Sequence, residues 1–129
     1  MPRFGLFLLS LWSCVVFGDP APWVIDANAL KGVVNPVTAA KRAASIERGQ
    51  VLFARECSAC HGARGKGDGP DGLYFTTTPT DLTAPAVTKQ GDAVLFVKLR
   101  QGRGDMKGYE KIYDATQRWD LVNAMRALK

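Results

Sequence analysis

The chain has 129 residues, 47% of them hydrophobic and 22% charged, which is a composition typical of one globular domain and not of a disordered chain. Seventeen basic and 12 acidic side chains give a formal net charge of +5, but no nucleic-acid-binding motif accompanies this charge. Three cysteines are too few for a disulfide-rich scaffold, and one histidine excludes a two-histidine zinc site.

Residues 1–18 have the pattern of a secretory signal peptide. Arg3 gives the positive start, residues 5–16 are almost continuously apolar, and Gly18 ends a small-residue cleavage pattern. This run is shorter than the roughly 20 residues that cross a bilayer. We therefore expect a soluble, periplasmic protein without a transmembrane span in the mature chain. The alternative is lipid attachment at Cys14, because the residues before it loosely resemble a lipoprotein box.

Residues 19–44 contain three prolines and no sustained helical or strand period, and they are predicted to form an extended arm. The arm is either an irregular tail that lies on the domain or a segment that docks on a partner. The domain itself is expected over residues 45–129.

The first helix is predicted to begin at Ser45 as its N-cap and to run to about Cys57, with Phe53 on its apolar face. Residues 62–91 are rich in glycine and proline and are predicted to be a long loop. So long a loop in a small domain is unusual unless it wraps around something.

Two more helices are expected. Asp92 is the predicted cap of a helix over 93–101 that Gly102 ends, and Asp114 is the predicted cap of a last helix to about residue 128. No strand pattern is convincing, so the fold class is all-α. Three helices and long loops make a thin core in a domain of this size. Another group is expected to complete it.

The sequence Cys57-Ser58-Ala59-Cys60-His61 is the C-x-x-C-H signature of covalent haem attachment. Two thiols at this spacing can reach both vinyl groups of one haem, and the adjacent histidine then coordinates the iron. A structural disulfide would leave His61 unexplained. A thioredoxin-like pair would need a βαβ context, and a zinc knuckle would need more ligands.

Further motifs lie on both sides of this signature. They are Gly49-x-x-x-Phe53-x-x-x-Cys57, Gly67-Asp68-Gly69-Pro70, Pro79-Thr80-Asp81-Leu82-Thr83 and Arg118-Trp119-Asp120-Leu121-Val122-Asn123. With them, residues 45–129 resemble the class I c-type cytochromes, and in particular small monohaem bacterial members. The resemblance implies the cytochrome c fold, with three main helices and long loops around one covalently bound haem c. It also implies a glycine at position 49 that lets the terminal helices cross closely.

The chain departs from the family at Ala124, where an aromatic residue usually packs on the first helix. Trp119 is a candidate to compensate from a neighbouring face.

The second axial ligand of the iron is predicted to be Met106. A second histidine is absent, and Met125 lies on the apolar stripe of the last helix, where a core role is expected. Met106 instead lies in a polar, glycine-flanked loop, and the family has its axial methionine at this place. Related sequences carry a proline directly after the methionine, whereas Lys107 stands here, so we expect an iron–sulfur bond that is easier to displace.

Pro70 is a candidate to orient His61. Gly69-Pro70 resembles the family's Gly-Pro pair, whose proline carbonyl accepts a hydrogen bond from the haem-ligating histidine. The alternative for Pro70 is ordinary turn chemistry.

A histidine and a methionine would fill both axial positions, which favours single-electron transfer over substrate chemistry. The sequence therefore predicts a non-enzymatic electron carrier between a dehydrogenase and a downstream acceptor. Its redox partners are expected to present acidic docking surfaces, because basic residues are concentrated between Lys66 and Lys111. The alternatives are a dedicated haem subunit of an oxidoreductase complex and an open-site haem enzyme or gas sensor.

Overall fold

The computed structural model describes residues 21–129. Its α-helices are α1 (Arg42–Glu56), α2 (Ser58–His61), α3 (Pro85–Thr88), α4 (Asp92–Gln101) and α5 (Ala115–Arg126). Short 3₁₀ helices lie at Ala27–Leu30, Ala39–Lys41 and Pro70–Tyr74. This part of the chain has no β-strand and only one isolated backbone bridge, between Arg103 and Met106. The predicted all-α class with three main helices is confirmed.

The predicted signal peptide, Cys14 and the first two residues of the arm lie outside the described residues. Within residues 21–129, no helix is both long and apolar enough to cross a membrane.

The two terminal helices, α1 and α5, make the most extensive contact between helices in the described part of the chain. Gly49 lies at the crossing point, and a Cβ atom placed on it would overlap the backbone carbonyl of Asp120. Only glycine lets the helices approach this closely. The role that the resemblance implied for Gly49 is confirmed.

A buried polar network joins the two helices beside this crossing. Ser45 Oγ donates to Asp120 Oδ1 at 2.5 Å, and Asn123 Nδ2 donates to Ser45 Oγ at 2.8 Å. Arg48 reaches the same carboxylate through Nε and Nη2, both at 2.8 Å. Ser45, Asp120 and Asn123 are almost fully buried, so each needs these partners.

This network explains why the predicted start of the first helix was wrong. The helix begins at Arg42, and Ser45 lies inside it, bonded across to α5 rather than to its own first turn. Asp92 was also predicted as a cap, but Gly91 is the N-cap of α4. The Asp92 carboxylate instead accepts from Arg126 Nε at 2.8 Å and from Asn35 Nδ2 at 2.9 Å.

The end of α4 at Gly102 and the start of α5 are as predicted. Asp114 and Gln117 form a capping box, in which the Asp114 carboxylate accepts from the Gln117 amide at 2.8 Å.

The arm lies on the domain and has more local structure than expected, since it contains two of the 3₁₀ helices. Ile25, Leu30 and Val37 are partly buried against the core. The side chain of Asn35 reaches the polar network and donates to Asn123 Oδ1 at 2.9 Å. The arm is thus fixed by both apolar and polar contacts.

Trp119 stacks on Phe96 of α4, with ring centroids 4.1 Å apart and an interplanar angle of 19°. Ala124 itself lines a surface hollow of about 270 Å³ between α1 and α5. Other lining residues include Gln50, Phe53 and Ala127. The small side chain at position 124 therefore coincides with a gap in the packing of the two terminal helices.

Candidate haem-attachment site

The C-x-x-C-H segment occupies the junction between α1 and α2. Cys57 ends α1, and the single turn of α2 follows, with the amides of Cys60 and His61 bonded to the Cys57 carbonyl at 3.2 and 2.8 Å. Cys57 is buried and Cys60 is partly exposed, and neither forms a disulfide. The structure therefore presents two reduced thiols one helical turn apart.

Neither thiol has the acidity of a reactive cysteine. Burial raises the pKa of Cys57 to about 12, and burial also raises the pKa of Cys60. Cysteines that work in thiol–disulfide exchange have a lowered pKa, set by nearby positive charge or a helix N-terminus. The pair therefore lacks the lowered pKa that is typical of thiol–disulfide exchange.

His61 is oriented by a backbone carbonyl. Its Nδ1 lies 2.9 Å from the carbonyl oxygen of Thr80. If Nδ1 carries the proton, this bond fixes the ring, and Nε2 keeps its lone pair for a metal.

Pro70 is not the residue whose carbonyl takes this bond. It begins the 3₁₀ helix Pro70–Tyr74, as a proline at a helix start commonly does. The structure thus corrects the predicted partner of His61 from Pro70 to Thr80, which lies in the second of the two family-like loop motifs. Turn chemistry accounts for Pro70.

The long loop brings Thr80 to the histidine by folding back on the C-x-x-C-H segment. The amides of Gly67 and Gly69 donate to the carbonyls of His61 and Cys60 at 2.7 and 3.1 Å, and the Leu82 amide donates to the Gly65 carbonyl at 2.7 Å. The loop therefore wraps around the attachment segment itself.

Asp81 stabilises the turn that follows Thr80. Its carboxylate accepts from the hydroxyl of Thr83 at 2.7 Å and from the Thr83 amide at 2.8 Å. These two bonds, with Lys66 nearby, lower the pKa of Asp81.

Met106 lies in the tight loop between α4 and α5. Gly102 begins the loop with φ +67°, and a Cβ atom there would collide with the backbone of residues 106–108. The amide of Arg103 donates to the Met106 carbonyl at 2.8 Å, and the Met106 amide donates back at 3.0 Å. The Met106 side chain is half-buried against the core.

Glu56 ties this loop to the end of α1. Lys107 Nζ lies 2.8 Å from Glu56 Oε2, Tyr113 OH donates to Glu56 Oε1 at 2.7 Å, and Tyr109 OH donates to the Glu56 carbonyl at 3.3 Å. The bonds from Lys107 and Tyr113 lower the pKa of Glu56. Because Glu56 directly precedes Cys57, the loop that carries Met106 is held next to the attachment segment.

Two of these residues were missed by sequence reasoning. Thr80 acts through its backbone carbonyl, and Glu56 is one of several carboxylates in the chain. Neither residue type therefore indicated a role in the site. The only sign of the contact with Glu56 was Lys107, a charged residue where the family resemblance implied a proline.

Met125 has the core position predicted for it. It is partly buried against the core and lines a hollow of about 220 Å³ with Leu82, Val87, Leu95 and Leu128. Thr88 and Arg126 complete the lining of this mainly apolar hollow.

The donor set fits a covalently bound haem. It offers two reduced thiols, an imidazole that is bonded through Nδ1 alone, and a thioether on a loop anchored beside them. Residues 21–129 contain no cluster of three or more His, Cys, Asp or Glu side chains that could hold a metal ion by themselves.

Comparisons with known proteins agree with this chemistry. The chain is similar in structure to a chain of the reducing HAO-like protein complex of Kuenenia stuttgartiensis, with a TM-score of 0.64 and 23% identity. The match covers 87% of this chain and 52% of that chain, so this chain spans about half the length of its neighbour, and the likeness concerns the fold. A search of curated proteins found no significant match. The family model described as Cytochrome c matches residues 46–129, and the chain therefore belongs to the cytochrome c family.

Proposed function

We propose that this protein is an exported electron carrier with one haem c, attached through Cys57 and Cys60 and ligated by His61 and Met106. A cytochrome c domain implies haem-based electron transfer, and the proposal adds the ligands, the compartment and the partners. The observation that carries it is the tether between Lys107 and Glu56, because it holds the Met106 loop beside Cys57. The compartment rests on the signal-peptide pattern of residues 1–18.

Each residue has a defined task in this proposal. The haem iron supplies a one-electron redox couple. His61 would offer Nε2 to the haem iron while the Thr80 carbonyl holds Nδ1, and Met106 would offer its thioether as the second protein ligand. With both residues as ligands the iron would have no open position for a substrate, which suits it to electron exchange alone. No residue is assigned a catalytic role.

Visible spectra of the exported holoprotein test the ligands. The ferric protein should be low-spin, with the weak far-red band of a methionine–iron bond. Met106→Ala should abolish this band, and the matched variant Met125→Ala should keep it. A high-spin spectrum with rapid carbon monoxide binding to the ferrous protein would overturn the proposal and favour an open-site enzyme or gas sensor.

The exposed basic residues support partners with acidic docking surfaces. Lys66, Lys89, Arg103, Lys107 and Lys111 are exposed, and of these only Lys107 forms an ion pair with another described residue. Unpaired surface cations steer acidic partners, and salt screens this attraction. The rate of electron transfer with an acidic redox protein should therefore fall steeply as ionic strength rises. A rate independent of salt would contradict this part of the proposal.

A second candidate function is a dedicated haem subunit of an oxidoreductase complex. It is favoured by the arm, which lies outside the matched range 46–129, and by the structural neighbour, which is a chain of a protein complex. Purification from the native host separates the two functions. A monomer that exchanges with several redox proteins supports the carrier, whereas stable co-purification with one larger catalytic protein supports the subunit.

A further inference from the structure

The arm reaches the loop that carries Met106, and its contact there is centred on Trp23. Lys98 Nζ and Arg103 Cζ lie 5.2 and 6.0 Å from the centroid of the Trp23 ring. Arg103 Nη2 also donates to the Ala21 carbonyl at 2.7 Å. The next residue along, Val24, is 81% exposed and takes no part in this contact.

Arg103 links this contact to Met106. Its guanidinium binds the arm, while its backbone amide and carbonyl pair with those of Met106 at 2.8 and 3.0 Å. A shift of the Arg103 backbone would therefore be passed to the backbone of Met106.

Near Met106 itself, two other side chains hold this loop, while Tyr109 and Tyr113 bind Glu56 further along it. Lys107 is bound to Glu56 at 2.8 Å, and Asp105 accepts a longer bond from Thr76 at 3.4 Å. Residues 103–105 are exposed, so they have little packing of their own. An exposed stretch with little packing opens locally at low cost, and each further tether lowers the open population.

We propose that Trp23 is a positioning residue that acts through Arg103 to hold the Met106 loop closed. The inference rests on the proposed function, in which Met106 is an axial ligand of the iron. Trp23 binds the Arg103 side chain, the Arg103 backbone fixes Met106, and the thioether is thereby kept in place against competing ligands. In this proposal the arm stiffens the loop that carries Met106.

The test measures how easily imidazole displaces Met106 from the iron in the ferric holoprotein. Trp23→Ala should raise the apparent affinity for imidazole about threefold, as expected for loss of a partly exposed cation–π contact. Trp23→Phe keeps an aromatic face and should have a smaller effect. Val24→Ala, the matched control on the same arm, should leave the affinity unchanged.

A double-mutant cycle tests the route through Arg103. Trp23→Ala should add little in an Arg103→Ala background if both residues act through one contact. Fully additive effects would overturn the proposed route. Hydrogen exchange of the Met106 amide in the holoprotein is a second readout, and it should quicken in Trp23→Ala and not in Val24→Ala.

A purely structural role for Trp23 has a different signature. It would lower the urea midpoint of unfolding and leave both imidazole affinity and Met106 exchange unchanged, which would overturn the proposal. Failure of the proposed function is separable from this result. If Met106→Ala keeps the far-red band, the assignment of Met106 as a ligand is wrong. If Met106→Ala loses the band but Trp23→Ala changes neither imidazole affinity nor Met106 exchange, only the role of Trp23 is refuted.

Discussion

The crossing of α1 and α5 and the loops that carry the predicted ligands are stabilised in different ways. At the crossing, the helices fit closely at Gly49 and share buried hydrogen bonds through Ser45 and Asn123. The loops depend on backbone bonds and on side-chain bonds near the surface, such as the ion pair between Lys107 and Glu56. Changes at the crossing should therefore lower global stability, and changes in the loops should first open the site locally.

The largest effect is expected from Gly49→Ala. The new methyl group would overlap the Asp120 carbonyl, so the helices must separate. The free energy of unfolding should fall by about 3 kcal/mol, the upper part of the usual range for overpacking. Urea unfolding followed by circular dichroism measures this loss. Glu47→Ala, on the exposed side of the same helix, should change stability little. Equal effects of both variants would contradict a tight crossing.

Asn123→Ala should cost about 2 kcal/mol of unfolding free energy, because it leaves buried polar groups without partners. The Asn123 amide donates to Ser45 at 2.8 Å, and its carbonyl accepts from Arg42 and Asn35 at 2.8 and 2.9 Å. Asn28→Ala is the matched control, since Asn28 is exposed. A loss below about 0.5 kcal/mol, the low end for a single hydrogen bond, would show that the network adds little.

The helices were largely predictable because their signals are local. Gly102 ends α4 and Asp114 caps α5 through interactions within a few residues of the chain. The attachment segment could also be predicted, since two cysteines and a histidine at fixed spacing identify it.

Ser45, Asp92 and Thr80 were not predictable because their roles depend on partners distant in sequence. Ser45 and Asp92 have the side chains of good N-caps, but their hydrogen bonds go to Asp120, Asn35 and Arg126. Thr80 contributes a backbone carbonyl, which any residue possesses. Rules based on hydrophobic periodicity and helix capping use only residues that are near in sequence, so they do not predict such contacts.

A smaller and opposite effect is expected from Ala124→Phe. The hollow of about 270 Å³ beside Ala124 is lined by residues of α1, such as Phe53, and by residues just after α5, such as Ala127, and an aromatic ring could fill part of it. Unfolding free energy should rise by about 1 kcal/mol, as is common for cavity-filling substitutions. Thermal unfolding measures the gain. A fall in stability would show that the close approach of the helices at Gly49 leaves no room for the ring. The packing of α1 against α5 would then have no gap that a larger side chain at position 124 could fill.

The smallest effect is expected in the loops, from Asp81→Asn under acid conditions. The Thr83 hydroxyl and amide, with Lys66 nearby, hold the pKa of Asp81 below its usual range. A lowered folded-state pKa stabilises the protein above the unfolded pKa, near 4, and this stabilisation is lost as pH falls through the folded value. Asn cannot titrate, so stability of the variant should depend less on pH between about 5 and 3. Thr83→Val, which removes one of the two donors, should reproduce part of the change.

The same variant distinguishes a local from a global response. The Leu82 amide donates to the Gly65 carbonyl at 2.7 Å, one residue beyond Asp81, so its hydrogen exchange reports on the turn that presents Thr80 to His61. In Asp81→Asn this exchange should quicken, while amides at the α1–α5 crossing keep their rates. If the crossing amides quicken as much as Leu82, the loops and the crossing open together. The two regions would then form one cooperative unit, and the tethers of the site would contribute directly to the stability of the whole domain.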